Sequence, residues 1–362
     1  MLGQFCVSVI VPFYNAESYL KTCLDVLSKQ DLKKPFEIIM VDDASTDNGR
    51  NVIKIRDFPG LKLYSLPSNF GPAAARNLGL KKAKGDFVFF LDVDDSIAEN
   101  TLSTLYDIAN ETACDLVMCD RKFIENSQNQ RENVFAYPTD RVLVNSDLME
   151  AMRKRFHDPI SDVCLFLLNG KLIRRSFLSD NNIFFEEDLR YLEDLTFTWD
   201  ILACVRSANY VRKQLYHYYV YPNVNTAISE AFNRGYPVSY FKLAKSHIEN
   251  CLKRRSFSAE ETEKLGDQAF IYFIISALVS YSRSMILGKV ELVNGVKCRR
   301  KIIDDILADP DVSKAIRNYS RSKNENSWIP RAIAWRSRRL LEFACTRRAK
   351  EVLRIRRKGV AQ

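Results

Sequence analysis

The chain reads as an α/β fold built on a mostly parallel central sheet, followed by a helical region. Three observations predict it. Short apolar runs rich in Val, Ile and Phe recur through the first third of the chain, amphipathic helical stretches separate them, and polar residues gather just after each run. Strands that alternate with helices give βαβ units. Their parallel strands are covered on both faces, so they read as continuous apolar runs rather than alternating ones.

The first run is Cys6–Pro12, CVSVIVP. A helix follows it, because Leu20, Cys23, Leu24 and Leu27 recur at i, i+3, i+4 and i+7 and so share one face. Further buried strands are expected at Phe36–Val41, Leu61–Leu66, Asp86–Leu91 and Asp115–Cys119. Leu102, Leu105, Ile108 and Ala109 mark another helix before the last of these. Residues 121–165 are less regular, 166–225 are mixed and aromatic-rich, and the pattern turns helical from about residue 232. At 362 residues the chain has room for about two domains of roughly 100–200 residues each. The boundaries expected are 1–230 for the α/β domain, 231–327 for a helical domain and 328–362 for a basic amphipathic tail. The uncharged run Gln268–Ser282 is shorter than the roughly 20 residues a spanning helix needs, and reads as a core helix or one resting on a membrane.

Charge is distributed unevenly. The net charge is +9, and the segment Trp328–Gln362 holds eleven Lys/Arg against two Asp/Glu, which leaves residues 1–327 neutral. A basic tail on a neutral body implies a local surface contact, and no nucleic-acid-binding motif accompanies it. Ile329, Ile333, Trp335, Leu340, Leu341 and Phe343 alternate there with Arg331, Arg336, Arg338 and Arg339, and Pro330 sits where a helix can start. Such a segment reads as an interfacial anchor on anionic lipid, or as a solvated helix docked by a few apolar residues. Nine scattered cysteines without a CxxC pair read as reduced, packed thiols of a cytosolic protein. No basic stretch precedes an apolar one at the N-terminus, so no signal peptide is expected.

Parallel sheets bind ligands beyond the carboxyl ends of their strands. The residues there are Phe13–Glu17 after the first strand, Asp42–Ser45 after the second, Asn69–Gly71 after the third and Asp92–Asp95 after the fourth. Carboxylates thus gather at one edge and repel one another unless a cation or donor compensates. Asp92-Val93-Asp94 follows the very apolar strand FVFFL, and oxygen ligands of this kind suit Mg²⁺ or Mn²⁺. A capped turn, with Asp94 or Asp95 starting the next helix, is the structural alternative.

The ordered set VSVIVPFYNAESYL, EIIMVDDASTDNG, SNFGPAAARNLGL, GDFVFFLDVDD and YLEDLTF resembles the family 2 glycosyltransferases over roughly 60% of the chain. The resemblance implies a GT-A-type nucleotide-binding sandwich. It implies a nucleotide-sugar donor, with a lean to UDP, and an inverting, metal-dependent transfer to a saccharide or lipid-linked acceptor in cell-surface polysaccharide synthesis. It assigns Pro12, Tyr14 and Glu17 to the base and ribose, Tyr14 offering a stacking face, and Asp42 to the base N–H. Asp43 or Ser45 instead suits a helix cap. Asn69, Gly71, Arg76 and Asp92 match the nucleotide-binding loop and helix. Gly71 allows a close turn, and Arg76 is read either as reaching the pyrophosphate or as pairing near Asp92. Asp94 and Asp92 match the metal site for Mn²⁺ or Mg²⁺. Asp194 matches the general base and Glu193 its orienting partner; Glu187-Asp188 is a second acidic pair of similar composition. Lys171, in the segment Asn169-Gly170-Lys171-Leu172, is expected at phosphate or acceptor or else simply exposed, and Tyr216–Tyr221 offers platforms for sugar rings or equally fills the sandwich core. The three histidines are too separated for a His metal site. The expected location is cytoplasmic, peripheral on the inner membrane face. A nucleotidyltransferase would carry a glycine- and basic-rich loop after the first strand, where this chain has PFYNAES, and a non-catalytic scaffold would have lost the acidic motifs, which are intact.

Overall fold

The computed structural model describes residues 5–55, 58–126, 129–130, 135–158, 163–219, 238–288, 292–321 and 327–359. The chain divides into two compact units. The first, Met1–Glu150 with Asp162–Val220, is the α/β body, and the second, Ala151–Ser161 with Tyr221–Gln362, is helical. The boundary expected at residue 230 falls outside the described residues.

Among its described residues the first unit holds a ten-stranded sheet. In chain order its strands are β1 (Val7–Phe13), β2 (Phe36–Asp42), β3 (Leu61–Ser65), β4 (Phe87–Phe90), β5 (Ser96–Ile97), β6 (Leu116–Asn126), β7 (Asn129–Gln130), β8 (Arg141–Leu143), β9 (Lys171–Arg174) and β10 (Ala208–Tyr219). The spatial order is β3-β2-β1-β4-β9-β6-β10-β5. β1, β2, β3, β4, β6 and β10 run one way, and β9 runs against both β4 and β6. The sheet is therefore mixed but mostly parallel in direction.

The apolar runs explain the middle of the sheet. Every residue of β1 and β4 is buried, as expected for strands covered on both faces. β3 differs from the expectation: it is the edge strand and only half-buried. α1 (Glu17–Ser28) buries Leu20, Cys23, Leu24 and Leu27, the stripe read from the sequence. α2 (Gly49–Lys54) follows β2, and α4 (Thr101–Glu111) buries Leu102, Leu105 and Ala109.

α3 (Pro72–Lys82) is the helix that positions the site. Pro72 opens it and Gly71, at φ +96°, makes the turn into it. Its buried face is Ala73, Ala74, Ala75, Arg76 and Gly79, small enough to let the helix sit close on β1. A Cβ at Gly79 would lie 2.4 Å from Ile10 Cγ2. Chain order turns back at β1, which pairs with β2 on one side and β4 on the other, and a crevice opens at such a switch point. α5 (Asn145–Lys154), a 3₁₀ turn at Val163–Phe166, α6 (Arg175–Asp180) and α7 (Glu193–Cys204) complete the connections.

The second unit contains α8 (Val238–Arg254), α9 (Ala259–Ile286), α10 (Leu292–Ala308), α11 (Pro310–Asn318), α12 (Ile329–Ala334) and α13 (Arg338–Gly359). A capping box of Ser258 and Glu261 starts α9. α9 is long and apolar enough to cross a membrane, yet 67% of its apolar window is buried inside the fold, and it contains the run Gln268–Ser282. Asp267, fully buried on it, accepts from Lys245 Nζ at 2.5 Å and Asn318 Nδ2 at 2.7 Å.

The segment expected as a separate tail is part of this unit. Ile329, Ala332, Leu341, Cys345 and Ala349 are fully buried, so an apolar stripe ties α12 and α13 into the helical core. Trp328, Trp335 and Phe343 remain outside, 43%, 63% and 61% exposed, beside the basic residues.

Candidate active site

The loops after β1 and β2 are joined by their own side chains. Asn15, at φ +47°, accepts from Thr46 N at 2.8 Å and donates its backbone N–H to Ser45 Oγ at 2.9 Å. Glu17 Oε2 accepts from Asn48 N at 3.0 Å, and Asp47 Oδ2 accepts from Glu17 N at 2.8 Å. Glu17 therefore builds the loop rather than facing an empty cleft. Pro12 is buried at the end of β1, and Tyr14 beside it is exposed.

Asp42 is fully buried. Its Oδ1 accepts from Ser45 N at 2.8 Å and its Oδ2 pairs with Arg50 Nε. Asp43 accepts from Phe70 N and Gly71 N, both at 2.8 Å. Burial raises the Asp43 pKa, against the pull of these two donors. Asp43 thus fixes the turn that opens α3 instead of capping the helix after β2. Arg190 completes that turn, donating to Asn69 Oδ1 at 2.9 Å and to Asn69 O at 3.0 Å.

The centre is a chain of buried polar groups. Arg76 donates from Nη2 to Asp92 Oδ1 and from Nη1 to Glu193 Oε1, both at 3.0 Å. Of its two readings, the geometry gives the ion pair. Its Nε has no partner among the described residues. Asn169 Nδ2 donates to Asp92 Oδ2 at 3.1 Å and to the Tyr216 hydroxyl at 2.7 Å. Tyr216 in turn donates to Asp95 Oδ2 at 2.7 Å, and Asp95 Oδ1 accepts from Tyr219 N at 3.0 Å. Asp95 therefore ties β10 to the loop after β4, and Arg76 joins that loop to the start of α7.

Burial and the Asp92 charge push the Asp94 carboxyl up to about 6. Glu193 is pushed up to about 7 by burial and by Asp194, with Arg76 opposing. Asp194 is raised by burial, against Arg76 and the N–H of Leu195, which Asp194 Oδ1 accepts at 2.7 Å. α7 begins here because Leu192, in the left-handed region at φ +72°, turns the chain into it. A carboxylate raised this way is a better base than one in water. Glu187 and Asp188 are exposed, and Glu187 pairs with Asn77 at 2.8 Å. They stand outside the chain of buried groups.

Lys171 corrects an expectation. It is fully buried, and its ammonium donates to the carbonyls of Cys164 and Leu167, with burial lowering its pKa to about 8. Both carbonyls close the 3₁₀ turn before Asn169, so Lys171 holds that loop, its ammonium fully buried and engaged there. In the aromatic run, Tyr216 is buried while His217, Tyr218 and Tyr219 are half-exposed; Val220 and Tyr221 lie outside the described residues.

Among the described residues no group of three or more His, Cys, Asp or Glu is assembled as a metal cage. The donor chemistry still fits a hard divalent ion. Asp94 carries a carboxyl that burial and then the Asp92 charge hold up, and such an ion takes few protein carboxylates and keeps other oxygens for phosphate. A cavity of about 860 Å³ lies between α3 and the segment after α6, lined by Leu66, Phe70, Leu78, Ile183, Phe184 and Glu187 among others. None of the clustered carboxylates lines it.

Asn169, Arg190, Tyr216 and Asp43 were missed as site builders by sequence reasoning. Asn169 stands two residues before Lys171, Tyr216 opens the aromatic run, and Arg190 falls next to the YLEDLTF motif. Only the third dimension shows what they hold.

Comparison with known proteins gives concordant results. The glycosyl transferase family 2 model matches residues 8–177. The poly(ribitol-phosphate) beta-N-acetylglucosaminyltransferase TarS of Staphylococcus aureus is 33% identical over 215 residues, which are 58% of this chain and 35% of TarS. The chain thus spans about a third of the length of that relative. The uncharacterized glycosyltransferase YibD of Escherichia coli is 26% identical over 358 residues, 95% of this chain and 97% of YibD. The crystal structure of S. aureus TarS 1–349 in complex with UDP superposes with a TM-score of 0.62 at 24% identity, covering 97% of this chain and 91% of that one.

Proposed function

This chain belongs to the family 2 glycosyltransferases, and from that premise we propose that it is an inverting, metal-dependent enzyme that moves a sugar from a UDP-sugar to a saccharide or lipid-linked acceptor. The observation that carries this reading is the Arg76 bridge, which places Asp92 on one side of the crevice and Glu193-Asp194 on the other. A single displacement needs those two sides.

On the leaving-group side, Asp94 and Asp92 would hold Mg²⁺ or Mn²⁺, and a divalent ion bound there would supply positive charge against the departing diphosphate. No glycine-rich phosphate cradle follows β1, so the chain offers few other means to do so. Pro12, Tyr14 and Asp42 border the space for base and ribose, with Asn69 and Gly71 at the adjoining turn. On the acceptor side, Asp194 takes the hydroxyl proton as that oxygen attacks the anomeric carbon from the face opposite the nucleotide. Glu193, held by Arg76, orients it. An α-linked donor then gives a β-linked product.

The lean to uridine is supported by TarS, which has been crystallised with UDP. The lean to a surface-polymer acceptor is supported by that relative's poly(ribitol-phosphate) substrate. Trp328 and Phe343 share a concavity of about 540 Å³ with Arg347, Arg348, Lys350 and Arg354. Aromatic rings beside cations suit the headgroup level of an anionic membrane, which supports a peripheral position on the cytoplasmic face.

Thermal unfolding against a panel of nucleotide sugars with Mn²⁺ tests the donor. A UDP-sugar at about 100 times its Kd adds roughly 2.7 kcal/mol of stability. Stabilisation by GDP- or CMP-sugars and not by UDP-sugars would remove the uridine reading.

A further inference from the structure

The loop after β4 carries aspartates that repel one another, and two other strands reach up to hold it. In sheet order β9, β6 and β10 lie between β4 and β5, so the chain passes their ends as it goes from Leu91 to Asp95. β9 runs against β4 with Leu172 opposite Phe89, and the same register continued by three residues brings Asn169 opposite Asp92. The backbone keeps Asn169 there. Gly170, at φ +77°, turns the chain into β9, and its carbonyl accepts from Cys119 N at 3.0 Å. A Cβ at Gly170 would lie 3.1 Å from Cys119 O and Sγ and 3.6 Å from Tyr216 Cβ, so the turn is packed tightly on β6 and β10.

The hydrogen bonds there run in one direction. A phenol has one proton to donate. Tyr216 gives it to Asp95 Oδ2 at 2.7 Å, so its oxygen accepts from Asn169 Nδ2 at 2.7 Å and from Asp92 N at 3.3 Å. Asn169 Nδ2 also donates to Asp92 Oδ2 at 3.1 Å, while Arg76 donates to Asp92 Oδ1 at 3.0 Å. A carboxylate oxygen has two lone pairs, so one donor on each leaves room for a ligand, and the Asp92 side chain is 32% exposed. Tyr216 is fully buried and presents no atom to the crevice. Asp95 is buried too, with its other oxygen taken by Tyr219 N at 3.0 Å.

We propose that Asn169 and Tyr216, anchored on Asp95, are positioning residues that fix the Asp92–Asp94 loop in the shape that receives a divalent cation. This rests on the reading of Asp92 and Asp94 as the metal site. Like charges at close quarters push apart. A loop free to relax would have to be drawn together again on binding, at a cost in affinity that a preset loop avoids. The amide and the phenol suit this task because they are neutral: they orient Asp92 without cancelling the charge that attracts the ion. Asp95, with both oxygens engaged, is the anchor of this brace and not a third ligand. Outer hydrogen bonds of this kind typically change metal affinity by about 10–100-fold when removed.

Titration of Mn²⁺ into the full chain with UDP present, read by the loss of the free-ion EPR signal, tests this without turnover. Tyr216→Phe keeps the ring and changes no charge. Because that side chain is buried, any effect on the ion passes through the aspartates it holds. Tyr216→Phe and Asn169→Ala should each weaken Mn²⁺ binding about tenfold. Thermal unfolding of the same samples separates positioning from mere support. A lowered midpoint with Mn²⁺ affinity within twofold of the wild type overturns the proposal. Should Tyr216→Phe fail to fold, Asn169→Ala, at a half-buried position, decides by the same titration. A wild type that binds no Mn²⁺ sinks the metal reading itself, whereas equal binding by wild type and both variants sinks only the brace.

Discussion

Arg76 shows how much of the site depends on one side chain. It is buried with carboxylates on two sides, so its removal strands both. Breaking a buried pair costs about 3–5 kcal/mol, toward the lower end here because Asp92 is partly solvated. Arg76→Gln is expected to lower stability by about 3 kcal/mol in denaturant unfolding and to abolish transfer. A stability change under about 1 kcal/mol would show that the bridge does not hold the two sides. Asp194→Asn acts differently. General-base loss alone is worth about 10²–10⁴ in rate, and donor affinity should stay near that of the wild type. Asp188→Asn, in the exposed pair, should leave turnover unchanged; the reverse pattern would move the base to that pair. The pH dependence follows from the same residues. Burial and then Asp194 push the Glu193 carboxyl up to about 7, and burial raises Asp194 as well, so activity should fall as pH drops and Glu193 takes up its proton, well above the usual carboxylate range. An acid limb near 4 in kcat/KM would contradict it.

At the scale of elements, α3 is where sequence and site meet. Its small residues let it press on β1, and that closeness is what carries Arg76 to both carboxylates. Gly79→Ala places a methyl into Ile10 and should destabilise by about 1–3 kcal/mol while reducing turnover through a displaced Arg76. Normal stability in thermal unfolding would mean that the helix can shift freely. The strand-end motifs were legible in the sequence because a strand end and its loop are local: Asp42, Asp92 and Asn69 each follow an apolar run. What holds them was not. Arg76 meets Glu193 across 117 positions and Arg190 meets Asn69 across 121, and no periodicity records such pairs. β9 was hidden for a similar reason, being four residues long and antiparallel between β4 and β6. Lys171 was misread because a lysine beside a polar loop looks exposed until the carbonyls it satisfies are seen.

At the scale of the molecule, the neutral body and basic end were visible in composition, but the end is not a free tail. Cutting before Trp328 would strip Ile329, Leu341 and Cys345 from the helical core, so the membrane question calls for surface changes instead. Trp335→Ser with Phe343→Ser should keep the fold and reduce pelleting with anionic vesicles, and salt should weaken what remains as screening shortens from about 10 Å at 0.1 M to about 3 Å at 1 M. Pelleting unchanged by these substitutions would exclude the aromatic face as the contact. The central claim is an inverting displacement with Asp194 as base. It is tested most directly by the sugar released when water replaces the acceptor. Proton NMR of UDP-N-acetylglucosamine hydrolysis should show the β anomer appearing first, before mutarotation, with Asp194→Asn slowing its release by at least a hundredfold. An α anomer appearing first, or equal turnover in Asp194→Asn, would contradict it.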